Sequence, residues 1–164
     1  MKQKHLRRAV KNIPAFGFAE TAPPPTHLPS ALLYTDGACQ PNPGKGGWCA
    51  KLICGPHTKL ISGFEGGTTN NRMEMAAIIE GLRAFKCPAQ ILVRTDSMIC
   101  VHIINGTGRK LHKRANQDLV QSMVREMARH RVRAEWVRGH NGDPHNEECD
   151  AVAESLARTG LLPS

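Results

Sequence analysis

The order of apolar runs and chain breakers predicts an α/β domain of three layers, a mixed five-stranded sheet flanked by helices. Three observations carry this. Three strand-like runs near the start are separated by glycine and proline turns, the pattern of an antiparallel meander. Two later short apolar runs, Ile91 to Thr95 and Val132 to Val137, alternate with stretches of helical period. At 164 residues the chain is long enough for one sizeable core and short for two.

Residues 1–30 start basic, pass Phe16-Gly17-Phe18 and end in Pro23-Pro24-Pro25-Thr26-His27-Leu28-Pro29. Proline donates no backbone hydrogen bond and no period is sustained, so this stretch is expected to be a flexible arm, with residues 31–164 as the folded domain. An inert tail, a nucleic-acid tether and an organelle-targeting presequence are the three readings of the arm; its acid-poor start allows the last, while the lack of serine before Ser30 does not favour it.

The first strand runs from Leu32 through Tyr34 into Asp36, and Asn42-Pro43-Gly44 with Gly46-Gly47 then breaks the chain. Gly47 to Cys54 and Lys59 to Phe64 are the next two strands, joined at Gly55-Pro56-His57. A helix from about Arg72 to Phe85 follows, with Asn70 or Asn71 as its cap and Pro88 beyond its end. Ile91 to Thr95 is a buried central strand, and a short helix from about Ser97 to Ile104 stops at Asn105-Gly106. A helix from about Asn116 to Arg129, the strand Val132 to Val137 and a helix from about His145 to Arg158 complete the domain.

Four acids stand beside core elements. Asp36 sits at a strand end, where a turn-starting aspartate is the ordinary alternative. Glu74 lies four residues before Ile78 and so faces the apolar stripe of its helix, where an unpaired charge is costly. Asp96 ends the run Ile91 to Thr95, and Asp150 is flanked by Cys149, Ala151 and Val152. A hard divalent cation explains all four together, because Mg²⁺ takes oxygen ligands and keeps waters for substrate.

Thr35-Asp36-Gly37, Asn70-Asn71-Arg72-Met73-Glu74, Thr95-Asp96-Ser97, Trp136-Val137-Arg138-Gly139-His140-Asn141-Gly142 and Asn146-Glu147-Glu148-Cys149-Asp150 stand in one order along the chain. In that order and spacing they resemble the type 1 ribonuclease H family over about residues 31–158. The resemblance implies a ribonuclease H-like fold and an endonuclease that hydrolyses the RNA strand of RNA/DNA hybrids with two Mg²⁺ ions, Mn²⁺ being an alternative, leaving 5′-phosphate and 3′-hydroxyl ends. It implies that Asp36 bridges the ions, that Asp150 completes the water-side site, and that Glu74 and Asp96 complete the other. His140 would assist proton movement or product release. Glu147 would tune metal occupancy, or simply favour the positive end of its helix.

By the same resemblance Cys39, Asn42, Asn70 and Asn71 meet the RNA strand, whose 2′-hydroxyl distinguishes it from DNA, and Met98 packs in the groove. Asn42 as a turn residue, Asn70 and Asn71 as caps and Met98 as core are the structural alternatives. Thr69 and Asn116 would hold a DNA-strand phosphate, and Gly67 stands where some members carry an arginine for it. Two rivals stay open: a hybrid or double-stranded RNA binding module without catalysis, and a nuclease of the same fold acting on DNA.

The formal net charge is +8, and Lys2, Lys4, Arg7, Arg8 and Lys11 against the lone acid Glu20 place half of it in the arm. Such an excess suits a polyanion, here the hybrid duplex, although basic faces are often only solvated. Between Asp96 and His140 the chain lacks the long tryptophan-bearing basic handle of many family members; Arg109, Lys110, Lys113 and Arg114 offer a reduced substitute. The six cysteines include no Cys-x-x-Cys pair and lie mostly in apolar segments, which points to free thiols in a reducing compartment, the cytoplasm. A zinc site from His140, His145 and Cys149 has compact spacing but competes with Asp150 for the same segment. Gly44-Lys45 is no phosphate loop, since Cys39 replaces the first glycine and neither Ser nor Thr follows the lysine. No apolar run approaches the ~20 residues of a membrane helix, and a soluble monomer is expected.

Overall fold

The computed structural model describes residues 27–107, 115–139 and 142–163. The expected arm, residues 1–30, lies almost wholly outside them, as do His140 and the basic run Arg109, Lys110, Lys113 and Arg114.

Strands β1 (Ser30–Cys39), β2 (Gly44–Cys54) and β3 (His57–Thr68) form the expected meander, followed by helix α1 (Asn70–Arg83), β4 (Gln90–Thr95), α2 (Met98–Ile104), α3 (Gln117–Met127), β5 (Arg131–Trp136) and α4 (Pro144–Thr159). The sheet order is β3-β2-β1-β4-β5. β1 is antiparallel to β2 and parallel to β4, and β4 is parallel to β5. β1 therefore stands at the centre with its C-terminal end beside that of β4.

Side chains alternate across the sheet. Leu33, Val93 and Ala134 pack with Met75, Ile78, Leu82, Ile103 and Met123 on the side of α1, α2 and α3. Tyr34 and Cys49 pack with Cys149, Val152, Ala153 and Leu156 of α4 on the other side. These two cores make the three layers.

Local chemistry explains most boundaries. Ser97 caps α2, its side chain accepting from the Cys100 N–H at 3.5 Å, and Gly106 at φ +69° supplies the left-handed stop after it. Asp143 caps α4 with Pro144 in its first turn, and Gly160 at φ +73° ends it. Asn105 then ties α2 to β5 by exchanging two hydrogen bonds with the Ala134 backbone, at 2.9 and 3.0 Å.

Three boundary expectations are corrected. Asp36 is not at the end of β1: pairing with β2 continues to Cys39, while the rungs to β4 stop at Tyr34. β2 begins at Gly44 rather than at Gly47, so Gly46, read as a breaker, lies inside the strand, and neighbours fill the space that side chains at Gly46 and Gly47 would take. A Cβ at Gly47 would stand 2.4 Å from the Ala153 carbonyl oxygen, and one at Gly46 2.3 Å from Thr68. The cap of α1 is Thr69, whose hydroxyl accepts from the Arg72 N–H at 3.4 Å, rather than Asn70 or Asn71.

Candidate active site

The parallel pairing of β1 and β4 places Asp36 and Asp96 just past the last rung between those strands, at the carboxyl end of the sheet. Gly37 brings in the third acid. A Cβ there would lie 2.3 Å from the Glu74 nitrogen and 2.4 Å from the Met73 carbonyl carbon. Only a residue without a side chain lets α1 approach this closely, and the approach delivers Glu74 to β1 beside Asp36.

One carboxylate oxygen from each of Asp36, Glu74 and Asp96 lies within 4.8 Å of the others. Asp36 and Glu74 are each 5% exposed, so water screens their charges little. Burial first, then the charges of Asp96 and Asp150, pushes the Asp36 carboxyl up to about 8, although the Gly37 N–H donates to its Oδ1 at 2.7 Å. Burial, then Asp36 and Asp96, holds Glu74 well above the usual carboxylate range. Asp150 approaches from the second turn of α4, near enough to raise both.

Among the described residues no ion pair reaches Asp36 or Glu74, and Glu74 Oε2 is buried with no hydrogen-bond partner. Two buried carboxylates held this close to a third are costly to ionise together unless protons or a cation neutralise them. An all-oxygen donor set with an orphaned buried carboxylate oxygen fits a hard divalent ion such as Mg²⁺.

A second set of residues singled out in the sequence stands mostly around the β1–β2 loop and the N-terminus of α1. Cys39 Sγ donates to the carbonyls of Pro41 and Thr68, at 3.2 and 3.4 Å. Exposed Asn42 accepts from the Asn70 N–H at 3.2 Å, which joins the β1–β2 loop to the N-terminus of α1. Asn71 is exposed one residue further on, and Met98 is 46% exposed at the start of α2, so it is not core. Asn116, at φ +59°, accepts through Oδ1 from Arg72 Nη1 at 3.3 Å. Arg72 also forks onto Asp118 at 2.7 and 3.1 Å. Arg72 thus links Thr69 to Asn116, a role that sequence reading missed although the residue stands inside the Asn-Asn-Arg-Met-Glu motif.

Glu147 accepts from the Gly142 N–H at 2.8 Å and so tethers the loop that precedes α4. The zinc reading loses its thiolate. Cys149 is fully buried against the Tyr34 carbonyl, and its hydrogen bond to Cys49 together with burial raises its pKa far above the ordinary thiol range.

The RNase H family model matches residues 29–158. The chain belongs to the RNase H family. It is 42% identical over 142 residues to the ribonuclease H of Caldicellulosiruptor saccharolyticus, covering 80% of this chain and 98% of that one. It is 45% identical over 137 residues to the ribonuclease H of Herminiimonas arsenicoxydans, covering 77% and 94%. A solved structure of LC11-RNase H1 in complex with RNA/DNA hybrid superposes with a TM-score of 0.66 at 20% identity, over 76% of this chain and 94% of that one; at that identity it speaks for the fold. The protein is a ribonuclease H enzyme, with the five-stranded mixed sheet of its structural relatives.

Proposed function

We propose that this ribonuclease H hydrolyses the RNA strand of RNA/DNA hybrids with two divalent cations, Mg²⁺ foremost and Mn²⁺ as an alternative, leaving 5′-phosphate and 3′-hydroxyl ends. The observation that carries the reading is the meeting of Asp36, Glu74 and Asp96 within 4.8 Å, two of them buried and outside every ion pair among the described residues. Asp36, Glu74, Asp96 and Asp150 are the residues that would hold the ions. When bound, such a pair activates water and steadies the departing oxygen of an in-line displacement.

The chain's own residues do the rest. A bound cation would favour the ionised carboxylates of Asp36 and Glu74, which burial and mutual repulsion otherwise disfavour. Cys39, Asn42, Asn70 and Asn71 offer donors and acceptors to the RNA strand and its 2′-hydroxyls, and exposed Met98 packs in the minor groove. Thr69 and Asn116, linked through Arg72, hold a phosphate of the DNA strand. His140 moves a proton near the leaving group or helps product depart. A solved relative of the same fold is an RNase H1 held in complex with an RNA/DNA hybrid, which supports this duplex as the substrate. The working unit is residues 31–164 acting as a cytoplasmic monomer, preceded by the basic arm.

A hybrid labelled on each strand, incubated with Mg²⁺ or EDTA, tests the reading with wild type and Asp36→Asn. Cuts in the RNA strand that vanish with either change are expected. Binding without cuts would make the chain a non-catalytic module, and cuts in the DNA strand would make it a DNA nuclease of the same fold.

A further inference from the structure

The segment leaving β5 touches Asp96 at two points. Thr95 and Trp136 are rung partners of β4 and β5, which sets the half-exposed indole of Trp136 beside the end of β4. Its Nε1–H donates to the Asp96 backbone carbonyl at 3.0 Å, and the Val137 N–H donates to the Thr95 carbonyl at 3.0 Å. Two residues further on, Gly139 lies against the Asp96 carboxylate: a Cβ there would stand 2.8 Å from Oδ2.

Asp96 is the least buried of the three clustered acids. Repulsion from Asp36 and Glu74 pushes its carboxylate toward solvent unless backbone and side chain are both held. The indole N–H holds the backbone on one side, and Gly139 leaves room for the carboxylate on the other while its own main chain bounds that room.

We propose that Trp136 and Gly139 are positioning residues for Asp96, setting the direction of its carboxylate toward Asp36 and Glu74. The inference deepens the metal-site reading above and rests on it. It gives the Trp136-Val137-Arg138-Gly139 run a task separate from presenting His140: the indole fixes the strand end and the glycine shapes the space for Oδ2.

The test uses the full chain titrated with Mn²⁺ alone, followed by calorimetry, beside thermal melts of each variant. Trp136→Phe keeps an aromatic ring and removes the N–H; Gly139→Ala puts a methyl against Oδ2. Both are expected to weaken Mn²⁺ binding by about tenfold, the size of effect that outer partners of metal ligands show, with melting still cooperative. Because both act through Asp96, adding either to Asp96→Asn should give no further loss. Losses that add to that of Asp96→Asn would overturn the proposal, as would unchanged affinity in Trp136→Phe, which reads the hydrogen bond even where Gly139→Ala does not fold. Unchanged affinity in Asp96→Asn would sink the metal-site reading itself, an outcome separable from failure of the positioning role.

Discussion

Asp36 shows how much a single residue can set against the fold. Its carboxyl titrates at about 8 in the folded, metal-free chain, against about 4 when unfolded. The favourable linkage is complete only below the unfolded value. As pH rises from about 4 to about 8 the unfolded chain ionises before the folded one, so metal-free stability falls across that window and levels off above it. Thermal melts in EDTA should therefore drop by several degrees between pH 5 and pH 8, roughly, and Asp36→Asn should flatten the drop while abolishing cleavage. A melt in EDTA that is independent of pH, or an Asp36→Asn variant that is less stable than wild type at the alkaline end, would contradict the repulsion argument. Mg²⁺ should restore the wild-type melt at alkaline pH, since it binds the folded state. At this scale the sequence was legible wherever an acid interrupted an apolar pattern, as Glu74 does four residues before Ile78. Trp136 and Arg72 were not legible, because their partners, the Asp96 carbonyl and Asp118, are set by tertiary contacts that no local pattern encodes.

Between elements, close approach at glycine decides whether the acids meet. Gly37 brings α1 onto β1, and Gly47 brings α4 onto β2. Gly37→Ala should cost on the order of 1–3 kcal/mol by overpacking, lowering the melting temperature. It should also lower kcat by at least about tenfold through displacement of Glu74, since a 1 Å misplacement can cost more than that. A variant with a reduced melting temperature and full kcat would detach the helix approach from the chemistry. The Gly106 stop was read from the residue string, whereas Ser97 and Asp143 cap helices that the string placed only as starting at about Ser97 and about His145. Gly44 and Gly46 of β2 were misread for the opposite reason: a missing side chain marks a turn or a tight packing contact equally well, and only the neighbours in the fold tell them apart.

For the whole molecule, a buried acidic centre stands in a chain whose formal net charge is +8. The meander, the alternation of later strands with helices and the family were all readable from the chain. The sheet order was readable only in outline, because β1 and β4 become neighbours through long-range packing around α1. The basic run from Arg109 to Arg114 stands outside the described residues, so its role is a proposal on charge alone. Neutralising Arg109, Lys110, Lys113 and Arg114 together should flatten the slope of log affinity against log salt by roughly one unit for each phosphate that the run neutralises in the wild type. An unchanged slope would remove the run from the duplex interface. Gly67 offers the converse change. A Cβ there meets nothing within 4 Å, so Gly67→Arg should fold normally and steepen the same slope by placing a cation near Thr69.

The carboxylate cluster is tested most directly by calorimetric titration of Mg²⁺ into the full chain, with wild type beside Asp36→Asn and Glu74→Gln, in buffers of differing ionisation enthalpy near neutral pH. A cation site built from these acids should show saturable binding with protons released into the buffer, and both variants should bind at least about tenfold more weakly. Equal Mg²⁺ affinity in all three proteins would mean that the meeting of Asp36, Glu74 and Asp96 serves something other than a cation.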